Sequence, residues 1–242
     1  MPYTTLSNTI KESNPLDFGA IFSKSIELFK DVWLQGFVVV ILNLVTIIPF
    51  YVLVYVPLLI AGVSDPEMLE GEQVPLVFPI SMAILMPLMF LGIMTVSLLL
   101  NAAFLRICKN KDLDLSLTDD YFYYFKKPYI LKSLLLSLIM LGLMLLGMLA
   151  CGVGIFYLIV PISLIPAFLA FDGELTAMEI VKSSFLLGNK NWLVVFGLTI
   201  IMGLVAELGL FLCFVGVLFT AMLAKVPAYF IYKDAIGFSS RP

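Results

Sequence analysis

Two charged residues, Lys225 and Glu207, stand inside otherwise apolar runs of this chain. A charge at membrane depth is costly unless it pairs, snorkels or lines a pathway, so these are the first candidates for chemistry. Lys225 lies about 12 Å along a helix from Lys233, and as straight helices Lys225 and Glu207 differ by about 10 Å in depth. That is too far for contact without tilt or a bridging water. As a transport pair they would gate or couple flux. The reading that needs no partner, a snorkelling lysine and an interfacial glutamate, is preferred. Asn43 and Asn101 are expected to hydrogen-bond between helices rather than to bind a ligand. Gly203 and Ala206 suggest close packing.

Other chemistry is excluded by what is missing. The chain has no histidine, which removes the commonest general base near neutral pH and the commonest metal ligand. Cys108, Cys151 and Cys213 form no CxxC or zinc pattern, and read as small buried apolar residues. Cys151 and Cys213 would sit at equivalent outer turns, facing an oxidising compartment if that side is the periplasm. A disulfide is weighed there against two free thiols; the turns read as nearly buried and nothing sets the sulfur separation, so the thiols are preferred. No nucleophile–base pair is visible, and no cofactor or metal is expected.

The elements that position these residues are long and apolar. With 62% apolar and 13% charged residues, a soluble fold could not cover its apolar surface. Runs of this kind cross a hydrocarbon core about 30 Å thick as helix. They do not alternate, which argues against a β-barrel. The fold class is therefore all-α: a polytopic membrane protein with six transmembrane helices as three hairpins, each preceded by an amphipathic interfacial helix. The spans are placed at 34–62, 79–105, 129–149, 155–171, 192–210 and 215–232, with kinks at Pro49 and Pro57. One membrane domain fills 1–242: a loose N-terminus over 1–13, units at about 14–108, 116–171 and 172–234, and a tail over 235–242.

The interfacial stretches carry their own signals. Asn14, Pro15 and Asp17 read as a helix start, followed by an apolar face of Phe18, Ile21, Phe22, Leu28, Phe29 and Val32. Ser116 or Thr118 caps a short helix over Tyr121–Phe125, whose aromatic rings belong at headgroup level. The polar island 172–191 reads as a helix with Met178, Val181 and Phe185 on its buried face, Thr176, Glu179 and Ser183 opposite, and Gly188 at its end. No cleavable signal peptide is visible.

Thirteen of the fourteen Lys and Arg fall in the N-terminal region, the 106–132 and 172–191 connections or the C-terminal tail, Lys225 being the exception. By the positive-inside rule both termini are cytoplasmic, and the expected membrane is a bacterial inner membrane. Lys24, Lys30, Lys126, Lys127, Lys182 and Lys190 are the candidate headgroup contacts. Membrane lipids are the expected partners, with another membrane protein as a further one and no nucleic acid.

A shift of 62 positions aligns Cys151 with Cys213, Val153-Gly154 with Val215-Gly216, Phe168 with Phe230 and Asp172 with Asp234. Lys24-Ser25 before Trp33 likewise matches Lys182-Ser183 before Trp192. This suggests a unit repeated three times. The stretches DFGAIFSKSIELFKDVWLQGF, IPAFLAFDGELTAMEIVKSSFLLGNKNW and VGVLFTAMLAKVPAYFIYKD resemble a bacterial superfamily. It contains the membrane domain attached to some glycerophosphodiester phosphodiesterases and stand-alone relatives of unknown function. The resemblance implies the membrane fold and no activity, because the catalytic domain with its histidines is absent. The expected role is non-enzymatic: a scaffold or partner subunit in an envelope process. A small-solute or lipid transporter built from repeats is the alternative.

Overall fold

The computed structural model describes residues 1–60, 77–149, 152–211 and 215–238. Helix α3 (Val77–Asp112) is the axis on which the others pack. In its stretch from Leu98 to Cys108, Asn101 and Arg106 are the polar residues, and Leu99, Leu100, Ala103, Phe104 and Ile107 are fully buried there. A helix buried on most of its circumference belongs inside a bundle. Helix α2 (Phe18–Ile60) runs beside it, as do α4 (Lys127–Leu149), α5 (Val153–Phe171) and, at one end, α9 (Val226–Ile236). Helix α2 meets the core through Ile21, Ser25, Leu28, Val32 and Val39, all buried, whose three-, four- and seven-residue spacing puts them on one face.

Among the described residues, helix is the regular structure and no strand occurs. Six segments there are long and apolar enough to cross a bilayer: Phe18–Val52, Pro79–Asp112, Lys127–Leu149, Val153–Phe171, Trp192–Leu210 and Val215–Ile236. The expected all-α, six-span architecture is therefore observed. The last span is irregular. It consists of α8 (Val215–Thr220), a 3-10 stretch over Ala221–Lys225 and then α9. Pro227 stands in the first turn of α9; its missing N–H leaves a gap in the helical ladder that the tighter 3-10 turn bridges.

Several local expectations are corrected. Residues 1–13 are not loose: α1 spans Tyr3–Glu12, and its Leu6 and Ile10 are fully buried where α1 packs on α6 (Ala177–Lys190) and α9. The four-residue spacing of those two side chains gives α1 an apolar face. Asp17, not Asn14, caps α2, its Oδ1 accepting from the Ala20 amide at 2.8 Å. The first amphipathic segment is continuous with the first span, both lying within α2. Residues Tyr121–Phe125 form turns rather than a capped helix. Ring contacts compete with a helical path here, Tyr123 meeting Tyr124 edge-on at 4.9 Å and Phe122 meeting Phe125 at 5.3 Å. A separate interfacial helix thus forms in the third unit alone, as α6.

The faces of α6 also differ from expectation. Val181 is buried as expected, but so are Ala177, Ile180, Ser183, Ser184 and Leu187, while Met178 is 52% exposed. The helix is wedged between α5 and α1, so its inward face is set by two neighbours. Gly188 does not end it. The helix continues to Lys190, and a Cβ at Gly188 would sit 3.1 Å from Val160 Cγ1 and 3.4 Å from the Pro161 backbone. The glycine serves the close approach of α6 to α5. Similarly, Gly203 has nothing near it, whereas a Cβ at Gly209 would lie 2.6 Å from the Gly216 carbonyl carbon. The hairpin formed by α7 (Trp192–Glu207) and α8 closes at that second glycine. Ala206 is buried as expected, and its carbonyl accepts from Thr220 Oγ1 at 2.6 Å.

Candidate functional site: a basic, tyrosine-lined pocket

The basic residues gather at one end of the bundle, where three acidic side chains sort them. Asp112, at the end of α3, accepts from Lys233 Nζ and from the Tyr229 hydroxyl. Asp234 pairs with Lys24 at 3.2 Å. Asp172, only 4% exposed, accepts from the Tyr232 hydroxyl at 2.6 Å. Of the cations that stay outside these pairs, two face a common pocket. Arg106 and Lys109 make no ion pair among the described residues. They lie three residues apart on α3, with Asn110 next in line, which places all three on one helical face.

That face forms one wall of an open pocket of about 660 Å³. The Arg106 guanidinium lies over the Tyr123 ring at 3.6 Å, and Lys109 Nζ lies over the Phe238 ring at 4.5 Å. Such stacking orients a cation without using its N–H donors. Asn110 is 4% exposed, and its Nδ2 has no hydrogen-bond partner. A buried amide with an unspent donor is costly, and calls for an acceptor. Ser116 adds a hydroxyl to the same pocket. The opposite wall is the turn after α5, where Asp172 and Glu174 are already engaged, Glu174 at 3.3 Å from the Met1 amine.

The turn that follows α3 builds the rim. Asp114 adopts a left-handed conformation, φ 48°, which an aspartate tolerates better than most residues, and the chain reverses into 115–126. Tyr124, 2% exposed, donates to the Ala170 carbonyl at 2.7 Å and ties this turn to the end of α5. Burial raises its phenol above the ordinary range, so it stays a donor at any physiological pH. Tyr129 packs edge-on against Tyr124 at 5.1 Å. Gly173 allows that approach, since a Cβ there would meet Tyr129 Cε1 at 3.0 Å. Lys132 Nζ donates to the Gly173 carbonyl and fastens the other side of the turn. The pocket thus combines two cations that make no ion pair among the described residues with a buried, unpartnered amide, within an aromatic rim.

The residues singled out by sequence are dispersed. Lys190 is not a free headgroup contact. Its ammonium donates to the Ile10 carbonyl at 2.8 Å, to the Lys11 carbonyl at 2.9 Å and to both oxygens of Ser13, so it closes the C-terminal end of α1. Lys24 is held by Asp234. Lys126 is exposed and lies 4.6 Å from the Tyr123 ring centre; Lys30, Lys127 and Lys182 are exposed. Asn43 does not bridge helices, because its Nδ2 donates to the Val39 carbonyl of its own helix at 2.9 Å. The Asn101 side chain makes no hydrogen bond among the described residues. Glu207 is exposed at the end of α7, and no ion pair joins it to Lys225. Lys225 instead borders a separate groove of about 210 Å³. Cys151 and Cys213 lie outside the described residues, and Cys108 is a buried free thiol. No cluster of metal-ligating side chains occurs among the described residues. The sequence reading used Arg106 and Lys109 only for orientation and passed over Asn110; their i, i+3, i+4 spacing at the end of a span was the available signal.

Fold and site together define a six-span, all-α membrane protein whose polar chemistry is concentrated at one end. Comparison with family models, with curated proteins and with solved structures finds no match.

Proposed function

We propose that this is a non-enzymatic inner-membrane protein, a scaffold or partner subunit in an envelope process, that holds an anionic lipid headgroup at its cytoplasmic end. The observation that carries the reading is Arg106 beside Lys109 in an open pocket, neither cation making an ion pair among the described residues although Asp172 and Glu174 line the same pocket. A phosphate supplies the acceptors that the Arg106 and Lys109 cations lack, and a headgroup reaches the two from the bilayer surface. The orientation with both termini cytoplasmic rests on the same gathering of basic residues. Kinship with the glycerophosphodiester phosphodiesterase membrane domains remains part of the proposal. So does the threefold repeat, which is supported by a shared detail. Ser25, Ser133 and Ser183 each follow a lysine, and each is fully buried with an unpartnered hydroxyl.

The test is lipid retention by the full chain in nanodiscs of mixed phosphatidylethanolamine and phosphatidylglycerol, read by native mass spectrometry. Wild type should retain phosphatidylglycerol preferentially. Arg106→Gln and Lys109→Gln should each weaken retention about tenfold, the worth of a hydrogen bond to a charged group. Unchanged retention in Arg106→Gln would remove the basis of the reading. The transporter alternative has one observation in its favour, the groove that reaches Lys225. It predicts solute flux in proteoliposomes that Lys225→Leu abolishes, and wild-type flux in that variant would dispose of it.

A further inference from the structure

We propose that the groove beside Lys225 is a binding site for a long-chain carboxylate, a single-chain anionic amphiphile taken up from the bilayer. The groove lies between α4, α5, α7 and the 3-10 stretch of the last span. Its apolar walls include Met144, Leu158 and Ile162, and its polar atoms come from Ser163, Thr199 and Lys225. This site is independent of the basic-end pocket, which is lined by other residues.

Lys225 is the reason for a charged ligand. It makes no ion pair or hydrogen bond among the described residues, and its side chain is exposed along the groove. It stands about 12 Å along the helix from Lys233, well inside a hydrocarbon core. An unpaired ammonium at that depth is costly, and a carboxylate alongside would relieve it. The neighbouring hydroxyls cannot substitute as donors. Ser163 Oγ donates to the Val160 carbonyl and Thr199 Oγ1 to the Val195 carbonyl, each at 2.8 Å, and a hydroxyl has a single proton. The free N–H groups on this wall therefore belong to Lys225, which has three, enough for both oxygens of a carboxylate.

Size and depth select the class. At about 210 Å³ the groove is smaller than the roughly 300–1,000 Å³ that encloses a drug-sized ligand. It accommodates part of one acyl chain beside the lysine. A diacyl phospholipid keeps its phosphate at the interface, about 12 Å along the helix axis from the Lys225 backbone. A single-chain acid can sink its small headgroup to Lys225 while its chain lies along Leu158 and Ile162. The 3-10 turn that Pro227 imposes ends at Lys225, and sets the position from which the side chain leaves the backbone.

The experiment uses the full chain in phosphatidylcholine nanodiscs with nitroxide-labelled stearic acid or its methyl ester, reading the immobilised fraction by electron paramagnetic resonance. Wild type should favour the acid over the ester by about tenfold, as expected for a hydrogen bond to a charged group. Lys225→Gln should lose that preference, Lys225→Arg should keep it, and Arg106→Gln should leave it unchanged. Equal retention of acid and ester by wild type would overturn the proposal, leaving a lysine that merely snorkels. So would a preference that survives in Lys225→Gln, or one that disappears in Arg106→Gln, which would move the acid to the basic end. If Lys225→Gln does not fold, Ile162→Trp decides. It fills the groove with the lysine in place, so loss of acid binding supports the site and retention overturns it.

Discussion

Lys190 illustrates how much of this membrane surface is internal wiring. Its ammonium meets the carbonyls of Ile10 and Lys11 at 2.8 and 2.9 Å, satisfying groups that a helix leaves unpaired at its C-terminus. Lys190→Gln should therefore loosen α1, and amide exchange over residues 3–12 should accelerate about tenfold, the effect of losing hydrogen bonds to a charged donor. Unchanged exchange would mean that Leu6 and Ile10 alone hold the helix. Asp172 and Tyr232 make a second internal link, buried and 2.6 Å long. Tyr232→Phe removes a donor from a desolvated carboxylate and should cost about 1–3 kcal/mol, visible as a lower unfolding temperature in detergent. Neither link was legible in the chain. Lys190 and Lys182 belong to the same polar stretch, and only the docking of α1 distinguishes the first from the second.

At the scale of the element, α6 is specified by its ends and by one glycine. Thr176 accepts from the Glu179 amide at 3.3 Å while Glu179 accepts from the Thr176 amide at 2.9 Å, a reciprocal cap. Those hydrogen bonds hold the Glu179 carboxyl below its ordinary range. A carboxyl depressed in the folded state contributes stability above its unfolded value and loses it as pH falls through the folded one. The first turn of α6 should thus fray in acid and not in mild base, read as amide exchange at residues 177–180 across a pH series. Thr176→Ala should cost about 0.5–2 kcal/mol and largely abolish that acid dependence. Gly188→Val should be more damaging, because its side chain would enter the Pro161 backbone of α5, 3.4 Å from a Cβ; overpacking of this kind costs about 1–3 kcal/mol. A cap of the form Thr-x-x-Glu is local and readable from sequence. The role of Gly188 is not, since a glycine two residues before a helix end looks the same whether it terminates the helix or admits a neighbour.

For the molecule as a whole, the testable statement is that both termini share one side. Cysteines introduced at Ser13 and Gly237 into a chain lacking its three native ones should resist an impermeant thiol reagent in intact spheroplasts and react once the membrane is opened. Opposite labelling of the two would refute an even number of spans. The two ends of the bundle are built differently. Around Leu98–Cys108 and Tyr229–Tyr232 nearly every side chain is buried. Along the far halves of α2 and α3, Ile48, Tyr51, Ile80, Ile84 and Leu88 are exposed, each by more than half. The packed end is also the charged one, so the polar pocket sits on the most densely buried part of the fold, which favours a preorganised site.

Class, span number and the gathering of charge were determined by the amino-acid sequence alone. They depend on composition summed over about twenty residues, and no tertiary contact can reverse such a sum. The helix of residues 3–12, the inward face of α6 and the turns at Tyr121–Phe125 were decided by the tertiary structure, because each depends on a neighbour distant in sequence. The pocket belongs to both. Arg106, Lys109 and Asn110 share a face by helical spacing alone, whereas the groups that hold Asp112 and Asp172 in place, Lys233 and Tyr232, are brought to them from the last span. Those bonds span 121 and 60 residues, a separation that no local pattern encodes.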